Sequence, residues 1–381
     1  MIYLDHAATT PVPRAVADTM YTVLTEHFGN PSAQYPMGLE TKKQVELWRR
    51  TVAKALGCAG EELYFTSCGS EGDNWAIAGA VEVNRRKGKH IITTAIEHSA
   101  VIEPCKELER RGYEVTWLKP DRQGNITPQQ VEEALRQDTV LVSMMLVNNE
   151  LGTIYPIQDI ARGLAAKNPQ TLLHTDAVQG FLKIPFSAKT LGADFITISA
   201  HKIGGPKGIG ALYLSDRLVQ AFRPPYLGGE QERGLRPGTE NTPYIVGLGL
   251  AAAKGAKNLS DRNAHIRALN AQLRTGLEEL AQQAPITLNS PADAVPEVLN
   301  FSTNCVNSQT FIEYLSGRHI YISGGSACDK GEPSHTLMAM GAPDLAVRTA
   351  LRVSFCGDNT PEDVQALLDG LKDGLKELQH I

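Results

Sequence analysis

The sequence predicts an α/β fold in which a mainly parallel sheet of seven strands is covered by helices and followed by a smaller α+β unit. Three observations carry this expectation. From residue 63 to residue 214, short apolar runs rich in Val and Ile alternate with longer stretches of helical periodicity, the signature of a parallel sheet with helices on both faces. The runs are continuously apolar, as in Phe195-Ile196-Thr197-Ile198, so they read as strands buried on both sides. From about residue 259 a separate set of strand and helix patterns runs to the end. The organisation expected is an N-terminal arm at 1–14 that packs with the small domain, a large domain at 15–258 and a small C-terminal domain at 259–381.

Each element has a local reason. The arm carries Asp5-His6-Ala7-Ala8-Thr9-Thr10 and then Pro11 and Pro13, which argue against regular structure. Helices are expected at 14–26 and 39–56, the second stopped by Gly57, with the turn-rich stretch HFGNPSAQYPMG between them. Strands are expected at 63–67, 90–95, 114–118, 140–147, 171–175, 195–199 and 210–214, with helices at 70–87, 100–111, 128–136 and 157–166. The last of these strands follows its predecessor so closely that it is expected to return antiparallel. Residues 223–242, RPPYLGGEQERGLRPGTENT, form a loop too long to be idle in a compact domain. Helices at 243–258 and 261–283 lead into the small domain, which holds strands at 298–302, 319–322 and 351–354 and helices at 309–316, 346–350 and 361–378.

Composition narrows the function classes. With 37 basic against 42 acidic side chains the formal charge is −5, which gives no general attraction to nucleic acid or an anionic membrane. No apolar stretch reaches transmembrane length, and the start, MIYLDHAATTPVPR, lacks the layout of a signal peptide. A cytoplasmic location is therefore expected. The six cysteines, at 58, 68, 105, 305, 328 and 356, are scattered without any CxxC, which suits reduced thiols rather than disulfides or a zinc site.

Polar residues cluster where the predicted strands end, and open α/β sheets bind ligands at such ends. Thr66-Ser67-Cys68-Gly69-Ser70 runs from strand into helix, so its free amides and the Ser70 hydroxyl form an anion site. The spacing is neither a dinucleotide fingerprint nor a P-loop. Glu97-His98-Ser99 follows the next strand, and an imidazole there stacks on an aromatic ligand, transfers a proton or merely caps a helix. Asn148-Asn149-Glu150 and His174-Thr175-Asp176-Ala177-Val178-Gln179 end two further strands. A carboxylate ending a buried strand needs a partner; for Asp176 that is either a helix N-terminus or a pyridinium nitrogen. Finally, Ser199-Ala200-His201-Lys202 ends the strand at 195–199. Desolvation there favours a neutral lysine amine, which forms a Schiff base with an aldehyde. Taken singly, each motif also fits ordinary structure. Together an anion cradle, a ring stacker, a carboxylate for a pyridine nitrogen and a Schiff-base lysine on one sheet edge point to pyridoxal 5'-phosphate.

DHAATTP, GNPSA, TSCGSEGDN, EHSAV, NNELGTI, HTDAVQ, SAHKIGGPKGIGAL, GGEQERGLRPGTEN and SGGSAC give the chain its family resemblance. It resembles the NifS/IscS-type cysteine desulfurases, class V of the fold-type I pyridoxal phosphate transferases, over nearly its whole length. The resemblance implies an enzyme that converts L-cysteine to L-alanine and passes the sulfur, as a persulfide on Cys328, to an acceptor protein for iron–sulfur cluster assembly or another thiolation. A selenocysteine lyase or a class V aminotransferase is the alternative. The implied roles are specific. Lys202 would hold the aldehyde, His98 would stack on the ring and handle protons, Asp176 would pair with the ring nitrogen and Gln179 would bond the ring hydroxyl. Gly69, Ser70, Ser199 and His201 would hold the phosphate, joined by Thr239 from the other subunit of a homodimer. Asn149 would sit near the ring hydroxyl and the substrate, Asn30 would also touch substrate, and Arg352 would clamp the substrate carboxylate. No resident metal is implied, although Cys328 could ligate an iron–sulfur cluster in a partner complex. Cys328 lies in the small-residue segment Ser323-Gly324-Gly325-Ser326-Ala327-Cys328-Asp329-Lys330, where a nearby lysine favours the reactive thiolate. The chain departs from the family in having Ser70 for a threonine, Gln34-Tyr35 near a usual histidine, Cys356 and Asp358 near a usual Gly and Arg, and a shorter segment after Cys328.

Overall fold

A computed structural model describes residues 1–223, 226–325 and 333–381; Cys328 and its expected loop lie outside the described residues. The strands, in chain order, are β1 (Ile2–Tyr3), β2 (Leu63–Thr66), β3 (His90–Thr94), β4 (Glu114–Leu118), β5 (Thr139–Ser143), β6 (Leu172–Asp176), β7 (Phe195–Ser199) and β8 (Gly210–Leu214). Four more follow: β9 (Thr287–Leu288), β10 (Val298–Ser302), β11 (Ile320–Tyr321) and β12 (Ala350–Ser354). The large sheet has seven strands in the order β2-β8-β7-β6-β5-β3-β4. Pairing is parallel from β7 across to β4, while β8 runs antiparallel to both its neighbours, as its short connection to β7 required. The sheet is buried on both faces. In β7, Ile196 and Ile198 face one apolar layer with Val142 and Leu173, and Phe195 faces the other with Trp75 and Phe222. This two-sided burial is the reason the strand sequences do not alternate.

A three-stranded antiparallel sheet, β12-β10-β9, forms a separate layer whose core includes Leu299, Phe301, Leu351 and Val353. The arm is not wholly irregular. Ile2 and Tyr3 pair in parallel with Ile320 and Tyr321, and Leu4 is fully buried in that same core. From there Asp5–Thr10 crosses to the large sheet, where Thr10 donates to the His201 carbonyl at 2.9 Å.

Several boundaries differ from the sequence reading, each for an identifiable reason. The strand expected at 140–147 ends at Ser143, because the Met145 amide is taken by the Glu97 carboxylate at 3.0 and 3.1 Å instead of by a strand. The helix expected at 70–87 ends at Val83, where the Asn84 side chain bonds the carbonyls of Val140 and Gln170, both at 3.0 Å. The helix expected at 39–56 begins earlier, with Pro36 as a preorganised first residue. Asp344–Arg348 replaces the helix expected at 346–350, because Ala350 joins β12 opposite Ser302. Short helices at Ala188–Leu191 and His335–Ala339 escape periodicity because each spans little more than a turn.

Candidate active site

The parallel strands deliver their carboxyl ends to one side of the sheet, at the point where the order reverses around β3 and β5. The Glu97-His98 turn leaves β3 there. Glu97 is buried and accepts from Thr94 Oγ1 at 2.7 Å, and burial pushes its carboxyl up to about 8. His98 caps the helix Ser99–Arg110 by accepting the Ala100 amide at Nδ1, 3.1 Å away. The capping reading of this histidine is therefore realised. Accepting at Nδ1 places the proton of the neutral ring on Nε2, and burial keeps the ring neutral by lowering its pKa, with Asp176 opposing and Lys202 assisting.

Asp176 ends β6 and accepts from the Val178 amide at 2.8 Å. Burial, reinforced by Asp73, raises its carboxyl from 3.8 to about 7, against the pull of His98. Ser199 ends β7, and its hydroxyl is buried without a hydrogen-bond partner among the described residues. Lys202 does not extend the strand itself; it closes the turn Ala200–Lys202, from which its Nζ donates to the carbonyls of Ala7 at 2.7 Å and Ala8 at 2.8 Å. His201 meets Thr9 Oγ1 through Nδ1 at 3.3 Å, and burial lowers its pKa to about 4.

The helix Gly69–Val83 opens from Cys68 with no side-chain cap, which leaves its first amides to a ligand. A Cβ at Gly69 would fall 2.9 Å from Val178 Cγ2, so a larger residue here would have to displace the Val178 side chain. Arg352, on β12, is only 1% exposed. Its guanidinium donates to the Asn149 carbonyl and to Asp5 Oδ1, both at 2.9 Å, while Nε has no partner among the described residues. The Asn149 side-chain oxygen is likewise buried and unpartnered among the described residues.

These groups converge on one cavity of about 200 Å³. Gly69, Ser70, His98, Asn149 and Asp176 line it, as do Gln179, Ser199, His201, Lys202 and Arg352. Ala7 and Ala8 of the arm close one side, and Met145, Val147 and Val178 supply apolar wall. Two expected residues are not brought in by the single chain. Thr239 is exposed and outside the cavity, and Asn30 is exposed with its side-chain oxygen accepting the Ser32 amide at 2.9 Å. Gln179 is more engaged than expected: its Nε2 donates to the Ala7 carbonyl at 2.9 Å and its Oε1 accepts from Lys183. Three further residues were given no role by the sequence. Asp73 lines the cavity from the helix that opens at Gly69. Asp5 holds Arg352. Glu150 is buried and accepts from Ser334 Oγ at 2.5 Å and Thr336 Oγ1 at 2.7 Å, tying down the chain just past residue 332. Asp5, Asp73 and Glu150 all fall inside the quoted motifs, so position in a motif was the available signal.

The cavity fits pyridoxal phosphate group by group. Open helix amides and the orphaned Ser199 hydroxyl suit a phosphate, an apolar wall suits a ring, and a buried carboxylate held near 7 for want of a cation suits a pyridinium nitrogen. Residues 2–367 match the family model described as Aminotransferase class-V. The chain belongs to this family. Class V chains are pyridoxal phosphate enzymes, and this one is too. It is 41% identical to a cysteine desulfurase IscS of Methanosarcina thermophila over 100% of this chain and 93% of that one. It superposes on a NifS-like protein with a TM-score of 0.93 at 37% identity, covering 99% of this chain and 100% of the other. A structure titled SspA in complex with cysteine matches with a TM-score of 0.80 at 36% identity, over 94% of this class V chain and 100% of that protein. No helix among the described residues is long and apolar enough to cross a membrane.

Proposed function

We infer that this class V chain is a cysteine desulfurase, which removes sulfur from L-cysteine and leaves L-alanine. The observation that carries the reading is the convergence of Lys202, His98, Asp176 and Arg352 on one cavity, in a chain whose full-length relatives are named cysteine desulfurases. Pyridoxal phosphate, when bound, supplies an electron sink for the pair left at the substrate Cα.

The chain's own residues do the rest. Gly69, Ser70, Ser199 and His201 would hold the phosphate, Asp176 the ring nitrogen, Gln179 and Asn149 the ring-hydroxyl side, and His98 the ring face. Arg352 binds the substrate carboxylate through a guanidinium already oriented by Asp5 and Asn149, with Nε still to be satisfied. Lys202 takes the Cα proton on Nζ, and the two arm carbonyls that accept from it fix where that atom waits. The Cys328 thiolate attacks the substrate sulfur. The new S–S bond leaves a Cys328 persulfide, the C–S bond breaks, and protonation of the carbon fragment gives alanine.

Two copies are proposed to associate, so that Thr239 from the exposed loop completes the phosphate site of the partner subunit and Asn30 reaches substrate. The arm at 1–14, large domain at 15–258 and small domain at 259–381 are the proposed working units. The persulfide passes to an acceptor protein, with iron–sulfur assembly as one outlet, and the cytoplasm is the proposed location. The test incubates the holoenzyme with L-cysteine and measures alanine and protein-bound sulfane sulfur in equal amounts. A keto acid product would indicate transamination instead, and a Cys328→Ala variant releasing sulfide at the parent rate would remove the persulfide step.

A further inference from the structure

Lys183 has no part in the roles above, yet it is buried at 8% exposure on the far side of Gln179. With His6, Lys202 and Glu297 it lines a second cavity of about 310 Å³. The backbone that presents it is strained: Leu182 has φ of +57°, a conformation that bulky side chains rarely adopt. The turn is held closed by Lys183 N donating to the Gly180 carbonyl at 3.0 Å. The helix Leu259–Leu280 pins it from outside, Arg262 donating to the Leu182 carbonyl and Asn263 to the Lys183 carbonyl at 2.7 Å. A strained turn held from both sides is the kind of outlier that points to a positioned side chain.

What Lys183 positions is the Gln179 amide. In its ammonium form Lys183 has only hydrogens to give, and a backbone carbonyl has only lone pairs. Gln179 lies between one of each: Oε1 accepts from Lys183, and Nε2 donates to the Ala7 carbonyl at 2.9 Å. Turning the amide over would set hydrogens against hydrogens at one end and oxygen against oxygen at the other. The same Ala7 carbonyl accepts from Lys202 at 2.7 Å, so the arm, the Schiff-base lysine and this amide share one frame. Of the two hydrogens on Nε2, one serves Ala7; among the described residues, the other remains for the cavity that Gln179 lines.

We propose that Lys183 is a positioning residue for the cofactor, acting through Gln179 to fix an N–H donor toward the ring oxygen of pyridoxal phosphate. This rests on the reading that Gln179 faces that oxygen. When protonated, Lys183 also polarises the amide from behind its oxygen and strengthens its N–H as a donor. Burial, aided by Lys202, Arg262 and Arg352 and opposed by Glu297, lowers the Lys183 pKa to about 7, so the ammonium is the form that acts below that pH; His6 and His201 feel its charge in turn. A firm donor onto the ring oxygen favours the anionic oxygen, and so lowers the pH at which the visible band of the bound cofactor titrates.

The test uses holoenzyme and two readouts apart from turnover: the pH midpoint of the visible band, and the cofactor dissociation constant from dialysis followed by titration with pyridoxal phosphate. Lys183→Met is expected to move the midpoint up by about half a unit or more and to weaken cofactor binding about fivefold, the scale of one charge-assisted hydrogen bond partly lost. Lys183→Arg is expected to restore both. Gln179→Ala should shift the midpoint alike, and the double variant should add nothing further, because one residue acts through the other. A folded Lys183→Met protein with parent midpoint and affinity, beside a shifted Gln179→Ala, overturns the proposal. If Gln179→Ala is also unshifted, the reading of Gln179 itself has failed. Should Lys183→Met not fold, Lys183→Gln decides: it keeps a neutral donor, so a smaller upward shift supports the proposal and a parent midpoint overturns it.

Discussion

The sheet side and the arm side of the cavity are built on opposite principles. On the sheet side polar groups are left wanting: the Ser199 hydroxyl and the Asn149 side-chain oxygen have no partner among the described residues, and Asp176 is buried with its carboxyl raised to about 7. On the arm side most polar groups are paired, His6 Nδ1 and Arg352 Nε excepted. Ala7 and Ala8 accept from Lys202, Ala7 also accepts from Gln179, and Asp5 grips Arg352. Unsatisfied buried polar atoms are costly and mark where a ligand is expected, whereas saturated ones hold the frame. The difference teaches which residues bind and which orient.

The comparison breaks most severely at Lys202, which leaves the sheet edge and is held by the arm. Lys202→Ala is expected to lower alanine formation by at least about 10³-fold, the upper range for a lost proton-transfer group, and to abolish the visible band of the bound cofactor. A variant with more than a tenth of parent activity would remove Lys202 from the chemistry.

Framing residues should fail through stability rather than chemistry. Arg49 meets Glu232 with two hydrogen bonds, at 2.6 and 2.8 Å, both side chains being 3% exposed, and this pair anchors the loop that carries Thr239. Glu232 and Arg233 adopt φ of +46° and +56°, so the loop is held in a strained form. Arg49→Met leaves a buried carboxylate unpaired and should cost about 3–5 kcal/mol in a denaturant titration. A midpoint unchanged with the same slope would show that the pair is idle.

At the arm–sheet junction, Asp5→Asn should raise KM for cysteine several-fold with kcat within about twofold, because only the orientation of Arg352 is loosened. A fall in kcat at constant KM would place Asp5 in the chemistry instead.

The smallest effect sharpens the sheet side. In the cofactor-free protein the Asp176 carboxyl titrates at about 7 rather than at its ordinary 3.8. Between those values the folded chain holds a proton that the unfolded chain has lost, so this group's contribution falls as pH rises. Thermal melts of cofactor-free Asp176→Asn should therefore lose less stability than the parent from pH 5 to pH 8. Cofactor should close the gap in the parent, since a ring cation removes the cost of the buried charge. Identical pH slopes for parent and variant would mean that Asp176 is not desolvated.

Much of this was legible in the sequence. The strands β3, β6 and β7 were recognisable because two-sided burial demands unbroken apolar residues, and their ends were recognisable because polar residues stop such runs. His98, Asp176, Ser199 and Lys202 followed from that alone as a set. The same logic misplaced the end of β5, where a side chain, Glu97, replaces a strand as partner to Met145, and apolar character continues past the ladder.

What the sequence by itself determined was the order of strands and helices and the identity of the groups offered at the strand ends, because both depend on neighbours a few residues away. Only the tertiary structure decided that Asp5 meets Arg352 across 347 positions, that Ala7 lends one carbonyl to both Lys202 and Gln179, and that Lys183 lies behind the amide it orients. Those contacts join segments with no local periodicity in common. They form where an arm paired to a distant strand is drawn across the sheet edge, and chain proximity carries no record of that.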